Sequence, residues 1–326
     1  MVLKSFEWAF IIKEPLRKYE STKNPDAPTV AKKHLSISSV LLDAFNLLCN
    51  LRGIGWSWSQ ELSPRAQSTA PTSESIPFVF AFLLLNITVF GASQYLIHRV
   101  FPTIGSNPNG GSIFDPNLNF FPRYALAAFA GICGAFWAYS YVEMLYRIGA
   151  LVGRVVLRQP ASDWPPISNR PWLSTSIHQY WSFRWHQLFR HIFIVFGARP
   201  GGALLGRPGA LMGAFSVSAA LHYFMVWGLG NGSEFTTVGG YFLAMGFGVA
   251  LEIAFKTATG VRVQGFSGWL WTMSWTLVWG TWMMDAWARH GMLSSVFFPN
   301  RFSPGKALVD AFIGLPTYYN STKMFA

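Results

Sequence analysis

Five apolar stretches constrain this chain more than anything else in it: Ile76–Ile97, Tyr124–Val142, Gly209–Leu229, Val238–Phe255 and Gly268–Met284. Three have no acidic or basic side chain, Gly209–Leu229 has only His222, and Val238–Phe255 has only Glu252. Each is long enough to cross the ~30 Å hydrocarbon core of a bilayer as a helix. A helix is the form such a run must take, because lipid offers backbone amides no partner and a helix satisfies them internally. The expected fold class is therefore an all-α polytopic membrane protein with about 5–7 transmembrane helices. Leu35–Leu51 is a weaker candidate, interrupted by Asp43 and Asn46, and Leu308–Leu315 is too short to span.

Composition agrees. Of 326 residues, 51% are hydrophobic and only 12% are charged, against about 25% charged in soluble domains. The net charge of +11 is spread as topology demands and not as a nucleic-acid surface. Lys and Arg crowd the region before the first span. The loop Glu143–Pro208 carries Arg147, Arg154, Arg158, Arg170, Arg184, Arg190, Arg199 and Arg207. The next loop, Gly230–Thr237, has no basic residue, and the one after has Lys256 and Arg262. That alternation puts the N-terminus and the Arg-rich loop in the cytosol, so no nucleic-acid partner is expected. Arg289, Arg301, Lys306 and Lys323 would lie on the far side and fit the pattern less well. The cysteines, Cys49 and Cys133, have no metal-like neighbours and imply no disulfide framework.

The chain divides into an N-terminal cytosolic or interfacial segment, 1–75, with a possible helix at 35–51, and a multi-helix membrane region, 76–326. Within the latter, Trp181, Trp185, Leu188 and Ile192 recur at helical spacing. This predicts an amphipathic helix over 176–197, lying at the interface with its apolar side down. His186 sits beside that apolar stripe and not opposite it. Trp271, Trp275, Trp279 and Trp282 also recur at helical spacing, an aromatic stripe that faces lipid or a neighbouring helix.

His222 is the residue that asks for an explanation. An ionisable group inside a span is costly and marks a function or a buried partner. Ser218 is one turn earlier on the same face, placed to hydrogen-bond the ring. Gly213, Ala214, Ala219 and Ala220 allow close approach of other helices, which puts His222 inside the bundle. Burial favours neutral imidazole, a general base poised near physiological pH. A fitting substrate is the hydroxyl of a lipid-soluble molecule, deprotonated as it attacks an activated carbonyl such as a thioester. Other patterns are missing: no P-loop, no G-x-G-x-x-G, no G-x-S-x-G, no H-E-x-x-H helix, and no His followed four or five residues later by Asp. No metal is expected.

The stretch "DWPPISNRPWLSTSIHQYWSFRWHQLFR", Asp163–Arg190, closely resembles the signature of fungal wax-synthase-like members of the membrane-bound O-acyltransferase superfamily. "NLRGIGW", Asn50–Trp56, "SFEWAF", Ser5–Phe10, and the span ending "SAALHYF" resemble further family segments. The resemblance implies the family's helical bundle, N-terminally short here. It implies an integral protein of the endoplasmic reticulum membrane, with membrane lipids around it and no tightly bound cofactor. It implies direct transfer of an acyl group from acyl-CoA to an alcohol, without an acyl-enzyme. His222 takes the position of the essential membrane-embedded histidine, and His186 that of the second family position, Asn or His. Trp185 and Arg184 would bind near the thioester, Ser218 would line the site, and Arg190 would meet the phosphates of CoA. Acetyl transfer to a terpenoid or other secondary metabolite is expected; wax-ester synthesis from long-chain alcohols is the alternative. From another class, a membrane terpene cyclase would need a buried acid, for which Glu252 and Asp285 are the candidates. A non-catalytic membrane protein would need a polar pathway through several spans.

Overall fold

A computed structural model describes residues 37–54, 56, 74–228, 230–297 and 299–313. Residues 1–34, including Ser5–Phe10, lie outside them. Seven helices organise the chain: α1 (Ile37–Cys49), α2 (Ile76–Val100), α3 (Phe120–Leu151), α4 (Arg199–Trp227), α5 (Gly240–Thr259), α6 (Gly265–Arg289) and α7 (Pro304–Ile313). No strand occurs among the described residues. Four stretches are long and apolar enough to cross a membrane: Ile76–Val100, Phe120–Val156, Arg190–Trp227 and Phe235–Thr259. The expected fifth span forms α6, 25 residues long. Its tryptophans, serines and threonines lower its mean hydropathy, and it is not among the four.

The first span starts where expected, with Ser75 Oγ accepting from the Phe78 amide at 3.4 Å and Pro77 in the first turn. The second runs past its expected end at Val142 because the charges there are neutralised in place. Glu143 and Arg147, one turn apart on α3, pair at 3.3 Å, and both are buried. Glu74 closes the cluster from the start of α2, and the Arg147 guanidinium lies 4.7 Å over the Phe82 ring. A buried ion pair of this kind tolerates the span because each partner desolvates against the other. Arg147 is thus a packing residue within the bundle and not part of a basic loop.

Phe90 of α2, Trp137 of α3 and Trp287 of α6 anchor the larger core cluster, with the Phe90 and Trp137 rings stacked at 5.4 Å. Gly134 leaves the space that the Met284 thioether fills. Opposite faces carry Phe80, Leu84, Leu85, Phe136, Leu145, Phe247 and Ile253, all exposed, as lipid-facing side chains must be. The short α7 does not span; it packs on α2, where Tyr95 OH donates to Asp310 Oδ1 at 2.8 Å.

The third stretch, Arg190–Trp227, departs most from a straight span. Its helix breaks at Leu205 and at Gly206, whose φ of 63° and ψ of −147° suit glycine alone. On either side of the break, Gly197 faces Gly213 and Gly201 faces Gly209 so closely that a Cβ on any of them would meet the partner's backbone oxygen within 2.4 Å. The pairing runs antiparallel. Arg190–Leu205 and Arg207–Trp227 therefore form a helical hairpin, zipped by glycines spaced four apart. The second arm carries His222; the first descends from the motif segment and brings it back into the bundle.

Candidate functional site

Residues 157–189 form an ordered loop whose anchors come from elsewhere in the chain. The Trp164 indole donates to Gln159 Oε1 at 2.9 Å and lies where Gly149 and Gly153 leave room; a Cβ at 153 would sit 2.4 Å from its ring. Tyr146 OH and Arg52 Nη1 both donate to the Pro165 carbonyl, at 2.5 and 2.8 Å. The Asn50–Trp56 segment thus holds the Asp-Trp-Pro-Pro turn.

The amphipathic helix expected over 176–197 is not continuous. Helix covers Ile177–Gln179, a wide turn follows through Arg184, and Trp185 is extended (φ −77°, ψ 158°) before helix resumes at Arg190. The backbone hydrogen bonds at the break go sideways to the loop: Asn169 N donates to Arg184 O at 2.8 Å, and Gln187 N to Ile167 O at 3.1 Å. Side chains cover the freed carbonyls. Gln187 Nε2 donates to the oxygens of Trp181 and Trp185 at 3.2 and 2.7 Å, and Arg190 Nη1 to Ser182 O at 2.9 Å. Periodicity alone misreads this stretch because its polar residues serve the local backbone and not water. Nor is it an interfacial anchor: Trp181 packs into the bundle against Phe215, Tyr241 and Phe242.

Glu252 of α5 holds the start of the segment. Its carboxylate accepts from the amides of Ile177 and His178, at 2.6 and 3.0 Å, and from the Trp271 indole at 3.0 Å. Ser176 caps the same turn by accepting from Gln179 N at 3.0 Å. We expect Glu252→Gln to remove one of these three acceptor contacts, since the amide nitrogen cannot accept, and to cost about 1.5–3 kcal/mol. Thermal unfolding of the detergent-solubilised protein measures it; an unchanged midpoint would show the cap to be dispensable.

Four successive ring contacts link the two histidines. His222 Nδ1 is 2.8 Å from the Ser218 carbonyl oxygen. A carbonyl only accepts, so Nδ1 carries the hydrogen and Nε2 keeps its lone pair. The ring stacks on Phe242 at 4.0 Å. Phe242 meets Trp181 at 5.9 Å, Trp181 meets Trp185 at 6.2 Å, and Trp185 meets His186 at 5.3 Å. Burial lowers the His186 imidazole to about 3, so it stays neutral across the physiological range. His186 Nδ1 and Trp181 Nε1 are both covered and have no hydrogen-bond partner among the described residues. Each such group costs about 1–3 kcal/mol of desolvation, which makes two on one segment notable.

Ser218 serves the site through its backbone oxygen and not its hydroxyl. Arg184 and Arg190 are committed to the fold: Arg184 Nη1 donates to the carbonyls of Asn169 and Arg170 at 3.1 and 3.3 Å, and Arg190 Nη1 also reaches Gln187 Oε1 at 3.2 Å. Both clamp the loop that carries His186. A cleft of about 580 Å³ opens instead between the ends of α5 and α6, lined by Leu251, Glu252, Phe255, Arg262, Gln264 and Trp271 among others. Neither histidine lines it. Ten residues of α5, roughly 15 Å at helical rise, separate Glu252 from Phe242, and the cluster of Ile177, Ala219, Met245 and Val249 fills that interval.

The two acids offered as proton donors are both engaged. Glu252 is the cap described above, and Asp285 accepts from Ser112 Oγ and the Ile113 amide, at 2.7 and 2.8 Å, and pairs with Arg289. Of the tryptophan stripe, Trp271 and Trp275 turn inward to Glu252 and the Ala244 carbonyl, while Trp279 and Trp282 are exposed. Glu252 had a signal in the sequence, a lone acid in a span, though its chemistry pointed equally to a proton donor. Trp181 had none that distinguished it from its aromatic neighbours.

Residues 164–244 match the membrane bound O-acyl transferase family. A long-chain-alcohol O-fatty-acyltransferase of Simmondsia chinensis is 28% identical over 48% of this chain and 47% of its own length. Acetyltransferase aurG of Calcarisporium arbuscula is 26% identical over 45% and 39%. A probable long-chain-alcohol O-fatty-acyltransferase of Arabidopsis thaliana is 26% identical over 67% and 72%. The chain thus spans less than half the length of the first two. No solved structure matches.

Proposed function

We propose that this chain, whose residues 164–244 match the membrane bound O-acyl transferase family, moves an acyl group from acyl-CoA to the hydroxyl of a lipophilic alcohol. The observation that carries this reading is the tautomer of His222. With Nδ1–H held by the Ser218 carbonyl, Nε2 is left as a base within a bundle. It takes the acceptor's proton as the alcohol oxygen attacks the thioester carbonyl carbon. The tetrahedral intermediate expels the thiolate, the carbon–sulfur bond breaks, and the imidazolium returns its proton to sulfur. Ester and free CoA result, with no covalent enzyme intermediate and no net proton change.

His186, linked to this base through Trp185, Trp181 and Phe242, orients the donor. The phosphate-bearing end of CoA suits the cleft between α5 and α6, where Arg262 is the basic side chain. Reaching His222 from there requires the Ile177–Val249 cluster to part. That close packing favours a short acyl group over a long one, as in the relative named an acetyltransferase. We therefore place acetyl first and a secondary-metabolite alcohol such as a terpenoid as acceptor. Long-chain wax-ester synthesis is the second reading, favoured by the names of the other two relatives. A cyclase draws no support from Glu252 or Asp285, since N–H and O–H donors and Arg289 already engage their oxygens.

The test is direct. Membranes containing the chain are given labelled acetyl-CoA or palmitoyl-CoA with a sesquiterpene alcohol or a long-chain primary alcohol. Labelled acetyl ester is expected. Label only from palmitoyl-CoA would establish the second reading, and no ester from either donor would refute acyl transfer.

A further inference from the structure

Trp181 is the residue whose chemistry remains unused. Its ring bridges the two halves of the site, touching Trp185 on the side of His186 and Phe242 on the side of His222. Its only polar atom, Nε1, is a donor with no acceptor among the described residues, and it is covered from solvent. Five residues on, His186 Nδ1 is in the same condition. The indoles of Trp164, Trp269, Trp271 and Trp275 all find an oxygen within 3.2 Å; of the two covered indoles without one, Trp181 and Trp287, Trp287 packs on Trp137 and only Trp181 belongs to the ring series that links the histidines. A covered indole N–H in that series, with no acceptor among the described residues, is open to an acceptor from a bound molecule.

Acyl transfer supplies the missing acceptor. As the alcohol attacks, the thioester carbonyl oxygen gains negative charge, and a donor already in place and shielded from water stabilises it best. We propose that the Trp181 indole Nε1–H donates to this oxygen, holding the oxyanion while His222 takes the proton. The inference rests on the acyl-transfer reading. The indole only donates a hydrogen bond; no proton leaves it, and the bonds made and broken are those already given. Its position is over-determined by Phe215, Tyr241 and Phe242 around the ring, and by Gln187 on its carbonyl. Such rigidity is what an oxyanion donor needs.

Trp181→Phe keeps an aromatic ring and removes the donor. In the full chain, kcat is expected to fall about 10²–10³-fold, the usual loss for one oxyanion donor, with KM for acetyl-CoA little changed. Unchanged kcat in Trp181→Phe, with an active wild type, would overturn the inference. A merely structural role is separated by competition with S-ethyl-CoA, the thioether that lacks the carbonyl. If Trp181→Phe weakens ethyl thioether and acetyl-CoA binding to the same degree and kcat falls only in proportion to lost folded protein, the donor role is refuted. Inactive wild type refutes the acyl-transfer reading first, and this inference falls with it.

Discussion

His222→Ala is expected to abolish acyl transfer while the protein remains in the membrane at its normal level. Positioned general bases contribute about 10²–10⁴-fold, and no second base stands ready to replace this one. His186, the nearest imidazole in the ring series, is neutral, but it is held by Trp185 and Phe189. The substitution removes one stacking contact, with Phe242, and one bond to the carbonyl of a helix that stays helical without it. The fold should therefore survive. Ester formation from labelled acetyl-CoA, normalised to extracted protein, decides the matter. Turnover equal to wild type would remove His222 from the mechanism and with it the account of why a titratable residue sits in this span.

Closing the hairpin gap has a second large effect, and it acts far from the chemistry. Gly209→Ala would put a Cβ 2.1 Å from the Gly201 carbonyl oxygen, a backbone contact that cannot rotate away. The arms must separate. The first arm carries the segment with His186 and Trp181, the second carries His222, so their separation dislocates the site. Misplacement by about 1 Å can cost 10²-fold, and a loss of that order is expected in kcat/KM. Gly240→Ala is the control, since a Cβ there meets nothing within 4 Å and its backbone is helical. Activity in Gly209→Ala equal to that of Gly240→Ala would show that the glycine zipper does not position the site.

These two experiments also mark where sequence reading succeeded and where it failed. His222 was legible because cost makes it conspicuous: an imidazole in a charge-poor span needs a reason. His186 was legible as a motif residue, but its burial was not. The helix expected over 176–197 followed from spacing that was real, yet Gln187, Arg184 and Arg190 spend their hydrogen bonds on local carbonyls and stabilise a break there. Arg184 and Arg190, read as meeting the thioester and the CoA phosphates, also donate to carbonyls of the loop that carries His186, which their spacing did not disclose. Glu143 and Arg147, read as the start of a basic loop, are buried partners inside α3. In each case the side chain's chemistry was known and its partner was not. A lone sequence does not say which carbonyl or carboxylate a guanidinium will meet.

The sequence by itself determined that this chain forms helices apolar enough to cross a membrane and that one histidine lies within the apolar region. Those follow from transfer free energies, which are local sums over residues. Only the tertiary structure decided that the third stretch folds back on itself at Gly206, that four glycines zip its arms, and that Glu252 caps a turn far away in sequence. Those depend on contacts between distant segments at van der Waals range, where a single Cβ or hydrogen-bond partner determines the outcome and no local sum records it.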